Sequence, residues 1–149
     1  MSTMEALPPI RKSITVDAPV ATAFETFTRG MGSWWPAGSH SIHEGRVEEV
    51  VFDEKAGGRV FERTATGEEE DWADVLAWDP PNGFTLLWRV NPERGATEVE
   101  VRFTPQGEGT RVDLEHRGWD AIGDAEGRTG YDNGWDFVLR RYSEASTSE

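Results

Sequence analysis

Residues 96–117, ATEVEVRFTPQGEGTRVDLEHR, form two alternating segments around a glycine-containing turn at Gly107 to Gly109. Every second side chain is apolar or β-branched, and most side chains between them are charged. The apolar or β-branched side chains include Thr97, Val99, Val101, Phe103, Val112 and Leu114. A period of two is typical of a strand with one covered and one solvated face. The stretch therefore predicts an antiparallel hairpin.

Similar segments precede this hairpin at 10–16, 46–53, 58–65, 70–79 and 83–91, and glycine, proline or acidic turns separate most of them. Covered faces are predicted from their alternation. The residues concerned are Ile10, Lys12, Ile14 and Val16 in the first strand, and Phe84, Leu86, Trp88 and Val90 in the fifth. The segment 72–78 does not alternate cleanly, which predicts a β-bulge there.

Helical spacing occurs at two places. After the first strand, Asp17 is a predicted N-cap with Pro19 in the first turn, and the apolar side chains that follow would share one face. They are Val20, Ala23, Phe24 and Phe27; Gly30 and Gly32 then interrupt the helix before Trp34. A long helix at about 125–145 carries one apolar stripe made of Tyr131, Trp135, Val138, Leu139 and Tyr142. Gly134 lies within that stripe, where it predicts a close approach of the backbone.

Composition limits the classes of function. The chain has 149 residues, a formal net charge of −13 and no cysteine. Disulfides, cysteine nucleophiles and cysteine-based zinc sites are therefore excluded, and the acidic surface argues against binding to nucleic acid or anionic membranes. We expect a cytoplasmic protein, since no signal peptide or membrane span is visible. Residues 9–145 are predicted to form one domain between flexible termini at 1–8 and 146–149.

The order of these elements, together with a set of short motifs over residues 10–142, resembles the SRPBCC (START-like) superfamily. The resemblance is to the branch of the heat-shock chaperone ATPase activator. The motifs are Asp17-Ala18-Pro19 with Phe24, Trp34-Trp35-Pro36, Gly57-Gly58-Arg59-Val60-Phe61, Ala73-Asp74-Val75 to Trp78-Asp79-Pro80-Pro81, Phe84-Thr85-Leu86 to Trp88, Thr97 to Val101, Gly109-Thr110-Arg111-Val112 to His116, and Gly134-Trp135. The family often has glycine at the position matched to Ala73. The resemblance implies an α+β helix-grip fold. In it, a curved antiparallel sheet of six to seven strands wraps around the C-terminal helix, and two short helices follow the first strand.

Seven tryptophans are many for one small domain. A packed core and an aromatic-lined pocket would use the same residue types, and we expect a pocket for a small hydrophobic or amphipathic molecule. The predicted ligand-binding residues are Trp34, Trp35, Phe61, Phe84, Trp88, Val101, Leu114, His116, Tyr131, Gly134, Trp135 and Val138.

Among polar residues, His116 is the candidate for chemistry, because the strand alternation places it on the covered face. Glu62 and Asp74 are further candidates to point inward. A histidine near a carboxylate could act as a general base, although a buried histidine is more often simply hydrogen-bonded. His40 and His43 have the spacing of two metal ligands, but zinc sites normally take at least three ligands from the protein. Neither a metal nor a cofactor is predicted there or at the acidic run 68–71.

These observations favour a protein that binds a small apolar ligand, with no confident catalytic residue. One alternative is a cyclase- or hydrolase-type enzyme that uses His116 in the same pocket. A second, implied by the resemblance, is an interaction protein like the chaperone ATPase activator. A homodimer is compatible with the sequence.

Overall fold

The computed structural model describes residues 8–35, 47–88, 96–119 and 125–147. The strands are β1 (Ile10–Val16), β2 (Val47–Phe52), β3 (Arg59–Thr64), β4 (Glu69–Asp79), β5 (Gly83–Trp88), β6 (Thr97–Gln106) and β7 (Gly109–Arg117). The helices are α1 (Val20–Phe27), α2 (Met31–Trp34) and α3 (Ala125–Thr147). All seven strands form one antiparallel sheet in the order β1-β7-β6-β5-β4-β3-β2. The predicted helix-grip architecture is confirmed.

The alternation of β6 and β7 is confirmed residue by residue. Thr97, Val99, Val101 and Phe103 are buried, as are the alternate side chains of β7. The turn between the two strands contains Gly107 at φ 63°, a left-handed conformation that glycine adopts without strain. This hairpin therefore supplies one side of the core through its alternate residues.

The long helix covers the sheet with the predicted stripe. Trp135, Val138, Leu139 and Tyr142 are each at most 3% exposed, and Tyr131 is partly buried. The helix also contacts α1 and α2. At the sheet edge, Lys12 Nζ lies 2.6 Å from Asp132 Oδ1 and 3.1 Å from Asp136 Oδ1 of α3. These ion pairs hold β1 beside the helix.

The outer face of the sheet carries paired charges. Arg117 donates to Glu98, Glu100 and Glu115 at 2.7–3.2 Å. Hydrogen bonding to Glu100 is the main cause that raises the pKa of Arg117. Such partly exposed pairs contribute little stability each, so their main consequence is a solvated face opposite the core.

Two irregularities in β4 confirm the predicted bulge. Val60 pairs with Ala73 and Phe61 with Asp71, which leaves Trp72 as an extra residue. Val75 pairs with Leu86 and Ala77 with Thr85, which leaves Leu76 as another. The first bulge turns both Trp72 and Ala73 into the core, whereas Leu76 remains 49% exposed.

Two local predictions need correction at the first helix. Asp17 is not the N-cap: Pro19 holds that position with an extended ψ of 157°, and no side chain caps the helix. Gly32 does not interrupt the helical structure, because α2 spans it; the first helix ends at Phe27 and Gly30 is the N-cap of α2. Among the described residues, no helix is long and apolar enough to cross a membrane.

Candidate functional site

The aromatic core has two parts. Towards the start of β5, five phenylalanines pack with Trp34, Trp78 and Tyr142, and we call this group the phenylalanine cluster. Its phenylalanines are Phe24, Phe27, Phe52, Phe84 and Phe103, with ring centroids as close as 5.1 Å to one another. The edge-to-face and tilted geometries are those that aromatic rings prefer in a packed core. This half of the interior is filled by side chains in mutual contact.

The other part lies where β5 and β7 end and β6 begins. It comprises Trp35, Trp72, Trp88, His116, Trp119, Tyr131 and Trp135, and we call it the tryptophan cluster. Neighbouring rings in it have centroids 4.5–6.4 Å apart. Trp34 and Trp35 contact each other at 5.9 Å and join the two clusters.

His116 is at the centre of the tryptophan cluster and has no exposed surface. Trp135 Nε1 lies 3.0 Å from Nδ1 of the imidazole, and Thr97 Oγ1 lies 2.7 Å from Nε2. An indole N–H can only donate, so Nδ1 must accept and carries no proton. The ring is therefore the neutral tautomer with its hydrogen on Nε2, which donates to Thr97.

The same geometry opposes protonation. Burial lowers the pKa of His116 from 6.5 to about 3, since desolvation disfavours the charged imidazolium. A proton on Nδ1 would also face the indole N–H of Trp135. At neutral pH His116 thus holds Trp135 and Thr97 in place, and its basic lone pair is already occupied. This arrangement disfavours the general-base role considered for it.

Other indole N–H groups in this cluster also have partners within the protein. Trp88 Nε1 donates to Tyr131 Oη at 2.8 Å, which ties β5 to α3. Trp119 Nε1 donates to the main-chain oxygen of His116 at 3.0 Å. These bonds fix the orientation of the rings around the imidazole.

Glu62 is a second buried polar group, and it has no exposed surface. Its Oε1 accepts a hydrogen bond from Trp72 Nε1 at 2.7 Å. Because Trp72 is the extra residue of the first bulge in β4, the bulge is what brings its indole to this carboxyl group. The prediction that Asp74 points inward is wrong: it is only partly buried and alternates with buried Ala73 and Val75, so it lies on the outer face.

The predicted site residues divide between these environments. Trp35, Trp88, His116, Tyr131 and Trp135 meet in the tryptophan cluster. Trp34 and Phe84 belong to the phenylalanine cluster, while Val101, Leu114 and Val138 are buried in the apolar core that contacts both. Sequence reasoning did not include Trp72, Trp119 or Thr97 in the site. The doubtful alternation around Trp72 was the available signal for that residue.

Three further predictions concern residues that the structure does not place in either cluster: Phe61, Gly134, and the pair His40 and His43. Phe61 does not join the rest, because it lies on the side of β3 opposite Val60, with the Arg59 guanidinium 3.7 Å from its ring centroid. Gly134 is partly buried on α3, and its predicted close approach stays a prediction. His40 and His43 fall outside the described residues. Among those that are described, no group of three or more metal-ligating side chains is present.

A matched pair of substitutions can test the account of His116. We expect Trp135→Phe to raise the pKa of His116 by at least one unit, since Nδ1 would lose its donor and become free to bind a proton. Trp119→Phe makes the same change in size but removes a hydrogen bond to the main chain of His116, so the pKa should stay close to that of the unmodified protein. NMR titration of the His116 ring measures both. Equal shifts in the two variants would contradict the account.

The sheet, the covering C-terminal helix and the short helices after β1 define a helix-grip protein of the SRPBCC superfamily. Residues 17–144 match the family model described as "Activator of Hsp90 ATPase homolog 1-like protein". The chain therefore belongs to that family. No curated protein matches it in sequence.

Solved structures give further similarities. The chain is 30% identical to CalC of Micromonospora echinospora, described as a self-sacrificing resistance protein, over 93% of each chain with a TM-score of 0.69. It is 31% identical to Txn09, described as an anthrahydroquino-gamma-pyrone synthase and solved as a complex. That match covers 93% of this chain and 96% of the other with a TM-score of 0.62. A protein of Mesorhizobium loti, 16% identical over 91% and 94% of the two chains with a TM-score of 0.69, shares the fold.

Proposed function

We propose that the protein binds a small, mainly apolar aromatic molecule in the tryptophan cluster, between the end of the sheet and α3. The observation that carries the proposal is the concentration of five tryptophans, one tyrosine and a neutral histidine at one end of the core. Large rigid rings with a few fixed polar groups are typical of sites for apolar ligands.

Energetics support such a site. A ligand ring that enters between the indoles would replace contacts between side-chain rings with similar contacts to the ligand. Transfer of the ligand's own apolar surface from water then contributes about 25 cal/mol per Å². For a two-ring compound with about 300 Å² of surface this amounts to about 7 kcal/mol, from which the cost of association is subtracted.

The two relatives at 30–31% identity favour the same conclusion. One is described as a resistance protein and the other as a synthase of an anthrahydroquino-gamma-pyrone. The product for which the synthase is named is aromatic, which fits a site lined by indole rings. The cytoplasmic location and the single domain at 9–145 are part of this proposal.

Catalysis of a ring-forming step is a second candidate, and the similarity to the synthase together with buried Glu62 favours it. His116 does not favour catalysis, because the lone pair on its Nδ1 accepts a hydrogen bond from Trp135. The interaction role suggested by the family description rests on that description alone.

Native mass spectrometry of freshly purified protein, followed by titration with a panel of two- and three-ring aromatics, tests the proposal. We expect saturable quenching of intrinsic fluorescence by at least one member of the panel. Trp88→Phe should weaken binding several-fold, because Trp88 contacts Trp35, Trp72 and Trp135. Trp78→Phe is the matched control in the phenylalanine cluster and should leave affinity unchanged. Absence of binding across the panel by the folded protein would refute the function.

A further inference from the structure

The hydroxyl group of Thr97 is held in the core as a hydrogen-bond donor. Thr97 is only 5% exposed, and its Oγ1 lies 2.7 Å from Nε2 of His116. Because the indole of Trp135 donates to Nδ1, the imidazole carries its hydrogen on Nε2 and donates it to Thr97. The hydroxyl oxygen therefore accepts from the imidazole, and the hydroxyl proton must point away from that ring.

This hydroxyl proton has no acceptor within the part of the chain that the structure describes. The bond to His116 is the one hydrogen bond that Thr97 Oγ1 makes there. By contrast, the hydroxyl groups of two other buried threonines, Thr28 and Thr110, donate to main-chain oxygens at 2.9 and 2.8 Å. A buried donor without an acceptor costs free energy and is rare in native proteins, so this group is a candidate for contact with a ligand.

The position of Thr97 places this donor among the rings proposed to contact the ligand. On the sheet Thr97 pairs directly with Trp88, and the side chains of directly paired residues lie next to each other on one face. The imidazole that Thr97 contacts is surrounded by three aromatic rings with centroids 4.5–6.0 Å away, those of Trp119, Tyr131 and Trp135. A ligand ring in this cluster would therefore lie within reach of the hydroxyl group.

The other hydrogen bonds of the cluster favour the same role for Thr97. Four indole N–H groups already donate within the protein, those of Trp72, Trp88, Trp119 and Trp135. The bonds from indole through imidazole to hydroxyl run in one direction, and each bond polarises the next, which strengthens the terminal O–H as a donor. A carbonyl oxygen, which can only accept, is complementary to such a group.

We propose that the hydroxyl group of Thr97 donates a hydrogen bond to a carbonyl oxygen of the aromatic ligand. The inference rests on the proposed function and names the ligand class of that same site: polycyclic aromatic ketones and quinones. His116 and Trp135 are positioning residues for this contact, because together they make Thr97 the donor.

Fluorene and 9-fluorenone test the inference, because they share one planar ring system and differ in the carbonyl oxygen. Dissociation constants from ligand-observed NMR give the ratio of the two affinities. Thr97→Val, which keeps the shape of the side chain and removes the hydroxyl group, should lower the preference for 9-fluorenone about fivefold, the factor typical of one neutral hydrogen bond. Thr97→Ser should retain the preference. Thr104→Val, the same change at an exposed position of β6, should leave it unaltered.

The stretching frequency of the ligand carbonyl provides a second readout that does not depend on affinity. Infrared difference spectra of bound 9-fluorenone, with a ¹³C-labelled carbonyl, should show a lower frequency than in an apolar solvent, since a hydrogen bond weakens the C=O bond. In Thr97→Val the band should return towards the apolar-solvent value. Trp135→Phe should move the band in the same direction, because the imidazole can then change tautomer and accept from Thr97. Trp78→Phe, in the phenylalanine cluster, should leave the band in place.

The outcomes separate the two proposals. If Thr97→Val keeps the affinity ratio or the carbonyl frequency of the unmodified protein, the role of Thr97 is overturned while the binding function stands. The same follows if 9-fluorenone does not bind while other members of the panel do, or if Tyr131→Phe loses the preference and Thr97→Val keeps it. If neither probe nor any member of the panel binds, the proposed function itself fails. Should Thr97→Val not fold, the unmodified protein decides, because a carbonyl band at the apolar-solvent value overturns the inference.

Discussion

Acidification from pH 7 to pH 4 should destabilise the protein by about 3 kcal/mol more than it destabilises the variant His116→Gln. The unfolded chain binds a proton on this imidazole below pH 6.5, whereas the folded protein does not until about pH 3. The contribution is therefore fully present above pH 6.5 and is lost progressively as the pH falls to about 3. Urea denaturation of both proteins across this range measures the difference.

The comparison with His116→Gln removes the effects of the many carboxylates, because these are common to both proteins. Glutamine can still accept from Trp135 and donate to Thr97, but it does not titrate. Parallel stability curves for the two proteins would contradict the buried neutral imidazole. A direct NMR titration of His116 in the unmodified protein is an independent test. A pKa near 6.5 would also contradict the buried neutral imidazole.

The second large effect concerns Trp35. We expect Trp35→Ala to lower the free energy of unfolding by about 3–5 kcal/mol, the usual range for removal of a buried tryptophan. Trp35 is 8% exposed and its ring contacts those of Trp34, Trp72, Trp88 and Trp135, so its loss would open a cavity where the two aromatic clusters meet.

The matched control is Trp78→Ala. Trp78 contacts three rings, those of Phe24, Phe52 and Phe84, where Trp35 contacts four, and Trp78 is partly exposed. Its removal should cost about 1–2 kcal/mol, since less apolar surface returns to water. Equal losses in the two variants, by urea denaturation, would show that Trp35 has no special position between the clusters.

Periodicity predicted the fold because the sheet has one solvated face and the helix one apolar stripe. Val99, Val101 and Leu114 follow the period of two, and Trp135 and Leu139 follow the helical period. The burial of all five could therefore be predicted directly from the sequence. Phe61 shows the limit of this reasoning. Its strand is buried on both sides, and an apolar ring on the outer face is covered by the guanidinium of Arg59.

The site was less predictable because its contacts join residues distant in sequence. Nineteen positions separate His116 from Trp135, and 43 separate Trp88 from Tyr131. Nothing in the sequence states which ring nitrogen receives an indole N–H, and that bond decides whether the imidazole can act as a base. The contact between Glu62 and Trp72 depends on the first bulge in β4. The presence of a bulge could be predicted from the sequence, but not that it would bring the indole of Trp72 to Glu62.

The indole N–H resonances of the seven tryptophans provide the most direct test of ligand binding in the tryptophan cluster. Two-dimensional NMR of the ¹⁵N-labelled protein, titrated with 2-naphthol, would follow each indole separately once single Trp→Phe variants assign the signals. We predict saturable shifts at Trp35, Trp72, Trp88 and Trp135, with the signal of Trp78 unchanged. Shifts confined to Trp78, or no shift at any indole with 2-naphthol or the aromatic panel, would contradict the account.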